Sequence, residues 1–303
     1  MTYLFVLDED LKTSYLAEED LNIVEFDYIK FNGGEPHLTI KNHIQYNNAT
    51  EVVFTTKLKN GDDFLKLAAA VNAFTNLGTG SKFYLEIAYY PGSRQDRVCN
   101  PGEAFSAKMY ANLLSSITQW ESIQILDQHS DVSSAVLTNG FNNSNIRFVN
   151  LALNALDITD GVIVSPDAGA NKKVYEVAKV LNQNTYGIFD VVRADKLRNL
   201  KTGEIIETTV YADDLKGKTC IIIDDICDGG RTFIELAKVL KAKGASHVIL
   251  IVTHGIFSKG FAPLLDENLI DQIVTTNSFI GLDADDGDRV TVLGINQDYF
   301  KRA

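Results

Sequence analysis

The sequence predicts an α/β protein of two domains with mainly parallel sheets, and three observations carry that expectation. At 303 residues the chain is long for one hydrophobic core. Short apolar runs rich in β-branched residues alternate with stretches of helical apolar spacing along the whole length. Residues 218–232, KTCIIIDDICDGGRT, read as a buried strand, an acidic pair and a small-residue loop that opens a helix at about Phe233.

Taken in order, residues 3–7 read as a strand, 13–20 as a short helix, and 23–31, 37–41 and 51–55 as strands. Residues 62–74 have helical spacing, with Asp62 and Asp63 in the first turn, where the helix dipole favours them. A strand over 83–89 ends in the turn Tyr90-Pro91-Gly92; a helix is expected over 103–117, a strand over 123–126 and a short helical piece over 133–137. The Asn-rich residues 139–145 read as the domain junction, dividing the chain into 1–145 and 146–303, with the last segment placed back on the first domain. Beyond it, 147–155 is mixed, 161–165 a strand, 171–181 a helix and 186–190 a strand. Residues 191–204 are polar and basic and read as a mobile loop, followed by a strand over 204–210. After the 218–232 stretch come a helix to 243, strands over 247–253, 272–276 and 290–293, and a closing segment at 297–302.

Composition bounds function. The chain is 45% hydrophobic and 22% charged, without a run long enough to span a membrane, and its opening MTYLFVLDEDLK has no basic stretch ahead of an apolar core. A net charge of −12 argues against nucleic acid as partner, though local Lys and Arg can still serve an anionic substrate. Cys99, Cys220 and Cys227 are odd in number and lack metal-ligand spacing, which fits a reducing, cytoplasmic setting. His37, His43, His247 and His254 are each isolated and read as structural.

In open α/β sheets ligands bind beyond the carboxyl ends of the strands. Asp224 and Asp225 at such an end suit the hydroxyls of a sugar or a metal-bound polyol. The loop Asp228-Gly229-Gly230-Arg231-Thr232, opening a helix, suits a phosphate through its backbone amides. The competing reading is an ordinary strand–turn–helix with acidic surface residues. Arg94, Gln95, Asp96 and Arg97 sit in a loop after a strand, where arginine forks bind phosphate or stack on adenine; a solvated charged loop is the alternative.

Five segments, in order, resemble the ribose-phosphate diphosphokinases (phosphoribosyl pyrophosphate, or PRPP, synthetases). They are Phe31-Asn32-Gly33-Gly34-Glu35, the run from Tyr90 through Arg94-Gln95-Asp96-Arg97 to Ser106-Ala107-Lys108, Asp127-Gln128-His129, Ser165-Pro166-Asp167-Ala168-Gly169, and Asp224 to Thr232. The chain departs from the family pattern at Gly33, where an Asp is usual, at Gly229, where a Thr hydroxyl is lost, and at Arg231, which replaces a Gly. The resemblance implies two similar phosphoribosyltransferase-like domains and transfer of a diphosphoryl group from Mg²⁺-ATP to ribose 5-phosphate. It implies catalytic roles for Lys196 and Arg198, with Arg193 and Lys201 as competitors for the same loop positions. It implies ATP binding by Arg94, Gln95, Asp96 and His129, with Phe31 and Glu35 from a partner chain, and metal contact at His129 and Asp167. Ribose 5-phosphate falls to Asp224, Asp225, Asp228, Gly229, Gly230, Arg231 and Thr232, as one half of a two-part site. A homo-oligomer, dimer or hexamer, is expected. A PRPP-consuming phosphoribosyltransferase and a non-catalytic paralogue are the alternatives. The first would lack the Arg-Gln-Asp-Arg segment and the Asp-x-His, and the second would have lost the Lys-x-Arg loop or the acidic pair.

Overall fold

Apolar runs in the first half build a five-stranded sheet. The computed structural model describes residues 1–17, 21–183, 187–198, 205–285 and 287–300, and of Leu197, Arg198, Ile205, Ile206 and Glu267 the backbone alone. The chain divides into two compact units, residues 1–144 with 294–303, and residues 145–293.

The first unit runs β1 (Thr2–Val6), α1 (Glu9–Leu16), β2 (Phe26–Lys30), β3 (Pro36–Ile40), β4 (Glu51–Lys57), α2 (Gly61–Thr75), β5 (Lys82–Tyr89), α3 (Ser106–Ile117), β6 (Ser122–Leu126), α4 (Asp131–Ala135) and β7 (Gly140–Asn143). Its main sheet has the order β1-β4-β5-β6-β7, every pair parallel. Such strands need apolar residues on both faces, and β4 is buried along nearly its whole length. Phe54 of β4 is fully buried and meets Phe83 and Trp120 edge-on, at ring-centroid distances of 5.4 and 5.9 Å. At the start of α2 the Asn60 side chain accepts from the Asp62 amide at 2.8 Å, and the Asp63 carboxylate accepts from the Asn60 amide at 2.9 Å. This capping box satisfies helix-end amides that would otherwise lack partners.

The second unit runs α5 (Ile146–Ala155), β8 (Asp160–Ser165), α6 (Asn171–Gln183), β9 (Ile188–Arg198), β10 (Ile205–Val210), β11 (Thr219–Cys227), α7 (Arg231–Ala242), β12 (His247–Gly255), α8 (Ala262–Leu265), β13 (Gln272–Thr276) and β14 (Val290–Leu293). The sheet order is β10-β9-β8-β11-β12-β13-β14. Only β10, on one edge, is antiparallel to its neighbour.

The structure corrects several sequence expectations. Of residues 23–31 and 37–41, Ile23 makes an isolated parallel bridge to Leu4 of β1, whereas β2 and β3 form a separate antiparallel hairpin. Turn propensity at 139–145 is overridden, because β7 pairs in parallel with β6 from Ile123↔Gly140 to Leu126↔Asn143. Residues 147–155 form α5, which buries Phe148, Val149, Ala152 and Leu153 on one face. The basic segment 191–204 is not a loop from its start. Residues 191–198 continue β9, with Val192 paired to Val164 and Ala194 to Val210, and Ala194 is fully buried. The rest of that expected loop, 199–204 with Lys201, lies outside the described residues. Among the described residues, no helix is long and apolar enough to cross a membrane.

The charged side chain of Lys57 is fully enclosed. The Lys57 ammonium, with 0% of its side chain exposed, donates to Asp10 Oδ2 at 2.8 Å, while the Lys57 amide donates to Asp8 Oδ2 at 2.9 Å. Burial lowers the Lys57 pKa against the pull of Asp10 and raises that of Asp8. Removing one partner of such a pair leaves a buried charge uncompensated, whereas an apolar replacement avoids the desolvation cost. Asp10→Ala is therefore expected to destabilise the protein by about 2 kcal/mol, below the fully buried value because Asp10 is partly solvated. Lys57→Met is expected to cost less than about 1 kcal/mol. Urea unfolding of both variants checks the order, and a larger loss in Lys57→Met contradicts it.

Candidate functional site

In the second unit, β11 lies between β8 and β12, and its parallel register brings three carboxylates together. The strand extends further than the 220–223 expected, to Cys227, because β12 continues to pair with it at Asp224↔Val252, Ile226↔His254 and Cys227↔Gly255. Asp224 and Asp225 thus stand within the strand rather than after it, on alternating faces. Asp225 is buried and Asp224 half-buried. Asp167 follows β8, whose Val164 is the register partner of Ile222. Burial first, then the charge of Asp225 and, further down, that of Asp167, push the Asp224 carboxyl well above the ordinary carboxylate range. Such a cluster calls for cationic or hydroxyl partners.

Lys196 supplies one cation. It lies on β9 three residues beyond Arg193, the register partner of Ser165, and its ammonium is ion-paired with Asp167 Oδ2. The other oxygen, Asp167 Oδ1, accepts from the Ala170 amide at 3.1 Å. Burial would raise the Asp167 carboxyl, but Lys196 and the amides of Ala170 and Gly169 outweigh it and hold it below the usual value. The Arg198 side chain is outside what the structure describes.

The loop after β11 is shorter than expected. α7 begins at Arg231, so Arg231 and Thr232 are first-turn residues, and Arg231 is exposed. Gly230 caps the helix in a left-handed conformation, φ 76°, and a Cβ there would meet Leu264 Cδ2 at 2.8 Å. Both the dihedral and the close approach require glycine. The arrangement aims first-turn amides of α7 at the loop, as anion sites use them.

In the first unit, residues 94–97 and 129 converge. A cavity of about 560 Å³ is lined by Arg94, Gln95, Asp96 and His129, together with Arg97, Cys99 and Glu103. The turn after β5 is held by the Gln95 amide, which donates to Gly92 O at 2.9 Å, and by Tyr90 Oη, which donates to Ala107 O at 2.8 Å and anchors α3. Gly92 needs its φ of 65° and leaves no room for a Cβ, which would meet Ser106 Cβ at 2.9 Å. Asp96 is buried and takes Arg97 Nε and Nη2 at 2.7 and 3.1 Å. Arg97 first, with the charge of the nearby His129 adding to it, holds the Asp96 carboxyl below its usual pKa against burial. The His129 loop turns at Asp127, φ 42°, with Gln128 N donating to Asn142 Oδ1 at 2.9 Å.

Phe31 and Glu35 are not part of this cavity lining. They are exposed at the tip of the β2–β3 hairpin, where the Phe31 amide donates to Glu35 O at 3.0 Å. Cys99 and Glu103 are lining residues to which sequence reading gave no role. Glu103 had a signal in its spacing from Asn100, whose amide it accepts at 3.0 Å; Cys99 had none.

A divalent cation is compatible with these residues. Among the described residues no group of three or more His, Cys, Asp or Glu is arranged to hold a metal ion. An acidic cluster with one carboxyl pushed toward its protonated form, but without a closed protein cage, suits an ion that takes its remaining ligands from phosphates and water, as Mg²⁺ does.

The chain is similar to known proteins over most of its length. Residues 190–285 match the family described as phosphoribosyl synthetase-associated domain. The chain is 27% identical over 251 residues to a ribose-phosphate pyrophosphokinase of Vibrio cholerae, covering 82% of this chain and 77% of that protein. It is 26% identical over 282 residues to one of Chromobacterium violaceum, covering 92% and 82%. Its fold matches that of phosphoribosylpyrophosphate synthetase from Mycobacterium smegmatis with a TM-score of 0.77 at 24% identity, over 97% of this chain and 94% of that one. Over most of its length the chain is similar to ribose-phosphate pyrophosphokinases.

Proposed function

We propose that this protein is a ribose-phosphate diphosphokinase, which transfers the diphosphoryl group of Mg²⁺-ATP to the 1-hydroxyl of ribose 5-phosphate and releases PRPP and AMP. The observation that carries the reading is the gathering, at adjoining strand ends of the second unit, of Asp167, Asp224, Asp225 and Lys196, with the phosphate-suited loop after the same strand β11. Carboxylates accept from ribose hydroxyls, a helix start takes a phosphate, and an ammonium meets the transferred phosphates.

In the reaction the 1-hydroxyl oxygen bonds to the β-phosphorus. The bond from that phosphorus to the oxygen bridging the α-phosphorus breaks, AMP leaves with the electron pair, and the hydroxyl proton is released. Little covalent work falls to the protein, so catalysis rests on positioning and on charge placed where it develops. Lys196 and Arg198 stabilise the transferring group; Lys196 is held by Asp167 until phosphate oxygens compete for it. Asp224 and Asp225 hold the ribose hydroxyls directly or through a second metal, and residues 228–232 hold the 5-phosphate. His129 and Asp167 are assigned to the metal–ATP complex, where Mg²⁺ neutralises phosphate charge. Arg94, Gln95 and Asp96 take the adenine side, with Phe31 and Glu35 from a neighbouring subunit of a homo-oligomer.

The direct test is a coupled assay of purified protein for AMP and PRPP from ATP and ribose 5-phosphate, with and without Mg²⁺ and with no base added. Stoichiometric AMP and PRPP are expected, and absence of AMP release overturns the reading. Lys196→Ala is expected to lower kcat by about two to four orders of magnitude with much smaller change in ATP affinity. Intact turnover would remove Lys196 from the mechanism.

The adenine-side cavity has a separate readout. Cys99 is exposed in its lining, whereas burial pushes the Cys220 thiol up to about 11 and raises Cys227 as well. Iodoacetamide at neutral pH should label Cys99 first, and saturating ATP should slow that labelling at least about fivefold. Labelling unaffected by ATP would place the nucleotide elsewhere.

A further inference from the structure

A lysine outside every motif stands against the loop after β11. The segment that follows β12 folds back along that loop and is pinned to it by backbone hydrogen bonds. The amides of Ile256 and Phe257 donate to Cys227 O at 2.8 and 3.1 Å, and that of Ser258 donates to Asp228 O at 3.2 Å. Phe257 turns the chain in a left-handed conformation, φ 45°, and its buried ring packs on Phe261 with centroids 4.6 Å apart. The next two residues are thereby held beside Gly229.

Gly229 has no side chain, and the stem of Lys259 lies next to the room this leaves. A Cβ built on Gly229 would be 3.7 Å from Lys259 Cε and 3.9 Å from Lys259 Cδ, with Ser258 Oγ at 4.0 Å. These are ordinary contact distances, so the aliphatic stem sits alongside the loop backbone without clash. Lys259 is exposed and makes no hydrogen bond or ion pair among the described residues. Its ammonium is one bond beyond Cε, within reach of any anion seated on the loop amides.

We propose that Lys259 is a substrate-binding residue that grips the 5-phosphate of ribose 5-phosphate over the side-chain-free position Gly229. The inference rests on the proposed reading of residues 228–232 as the phosphate cradle. A hydroxyl at position 229 would offer one neutral donor; the lysine offers a charged one, and charge-assisted hydrogen bonds to phosphate are roughly twice as strong. Lys259 on one side and the exposed Arg231 at the start of α7 then give this acidic protein two cations at the loop.

The test combines initial-rate kinetics with calorimetric binding of ribose 5-phosphate to the full chain. Lys259→Ala is expected to raise both KM and Kd for ribose 5-phosphate about tenfold, with kcat and the KM for ATP within about twofold of the parent. Lys259→Arg should restore most of the affinity. Gly229→Thr placed in the Lys259→Ala protein should recover part of it, since the space at 229 accepts a Cβ. Lys238→Ala, which removes the same charge from a lysine paired with Glu235 on α7, should change neither constant. A Lys259→Ala protein whose KM and Kd stay within twofold of the parent overturns the proposal while the diphosphokinase reading stands. A parent protein that binds ribose 5-phosphate but releases no AMP overturns that reading, and the Kd comparison still decides Lys259. A parent that binds no ribose 5-phosphate overturns both.

Discussion

The parallel register of β11 between β8 and β12 is the constraint on which the second unit's chemistry depends. It fixes Asp224 and Asp225 at a height in the sheet where the segment after β8 delivers Asp167. A shift of one residue would exchange the faces of the two carboxylates and bury the wrong one. The apolar run of Cys220, Ile221, Ile222 and Ile223, fully buried, holds that register against the electrostatic cost of the acidic cluster. Lys196 belongs to the same design, because β9 runs past the end of β8 and brings a cation back over it.

The first unit solves a different problem with related means. Its strands also end in loops that carry polar residues, and two of these loops line one cavity. Asp96 is buried and clamped by Arg97, within the same turn that presents Arg94 and Gln95. Gly92 and Asp127 accept left-handed backbone to make the turns tight enough. The enclosed Lys57 ammonium, paired with the partly solvated Asp10 and marked by no motif, shows that charge is also used away from the cavity.

Much of the fold was legible because periodicity reports burial. Residues 83–89, 123–126, 220–223 and 272–276 read as strands and are strands, since strands buried on both faces demand continuous apolar sequence. The misreadings occurred where local preference and tertiary pairing disagree. Asn-rich 140–143 has turn composition, yet an open sheet edge at β6 gives it backbone partners. Residues 191–198 have loop composition, yet Ala194 is enclosed between β8 and β10.

The site divides in the same way. By itself the sequence marked the acidic pair and glycine loop at 224–230 and the Arg-Gln-Asp-Arg run at 94–97, while His129 was marked by the family resemblance. The first two are local patterns whose chemistry follows from residue type and spacing. Only the tertiary structure decided that Lys196 pairs with Asp167 across 29 positions of sequence, that Cys99 faces the cavity, and that the Lys259 stem lies against Gly229. Each of these is a contact between segments distant in sequence, and its geometry is set by strand register and loop hydrogen bonds that no short window of residues contains.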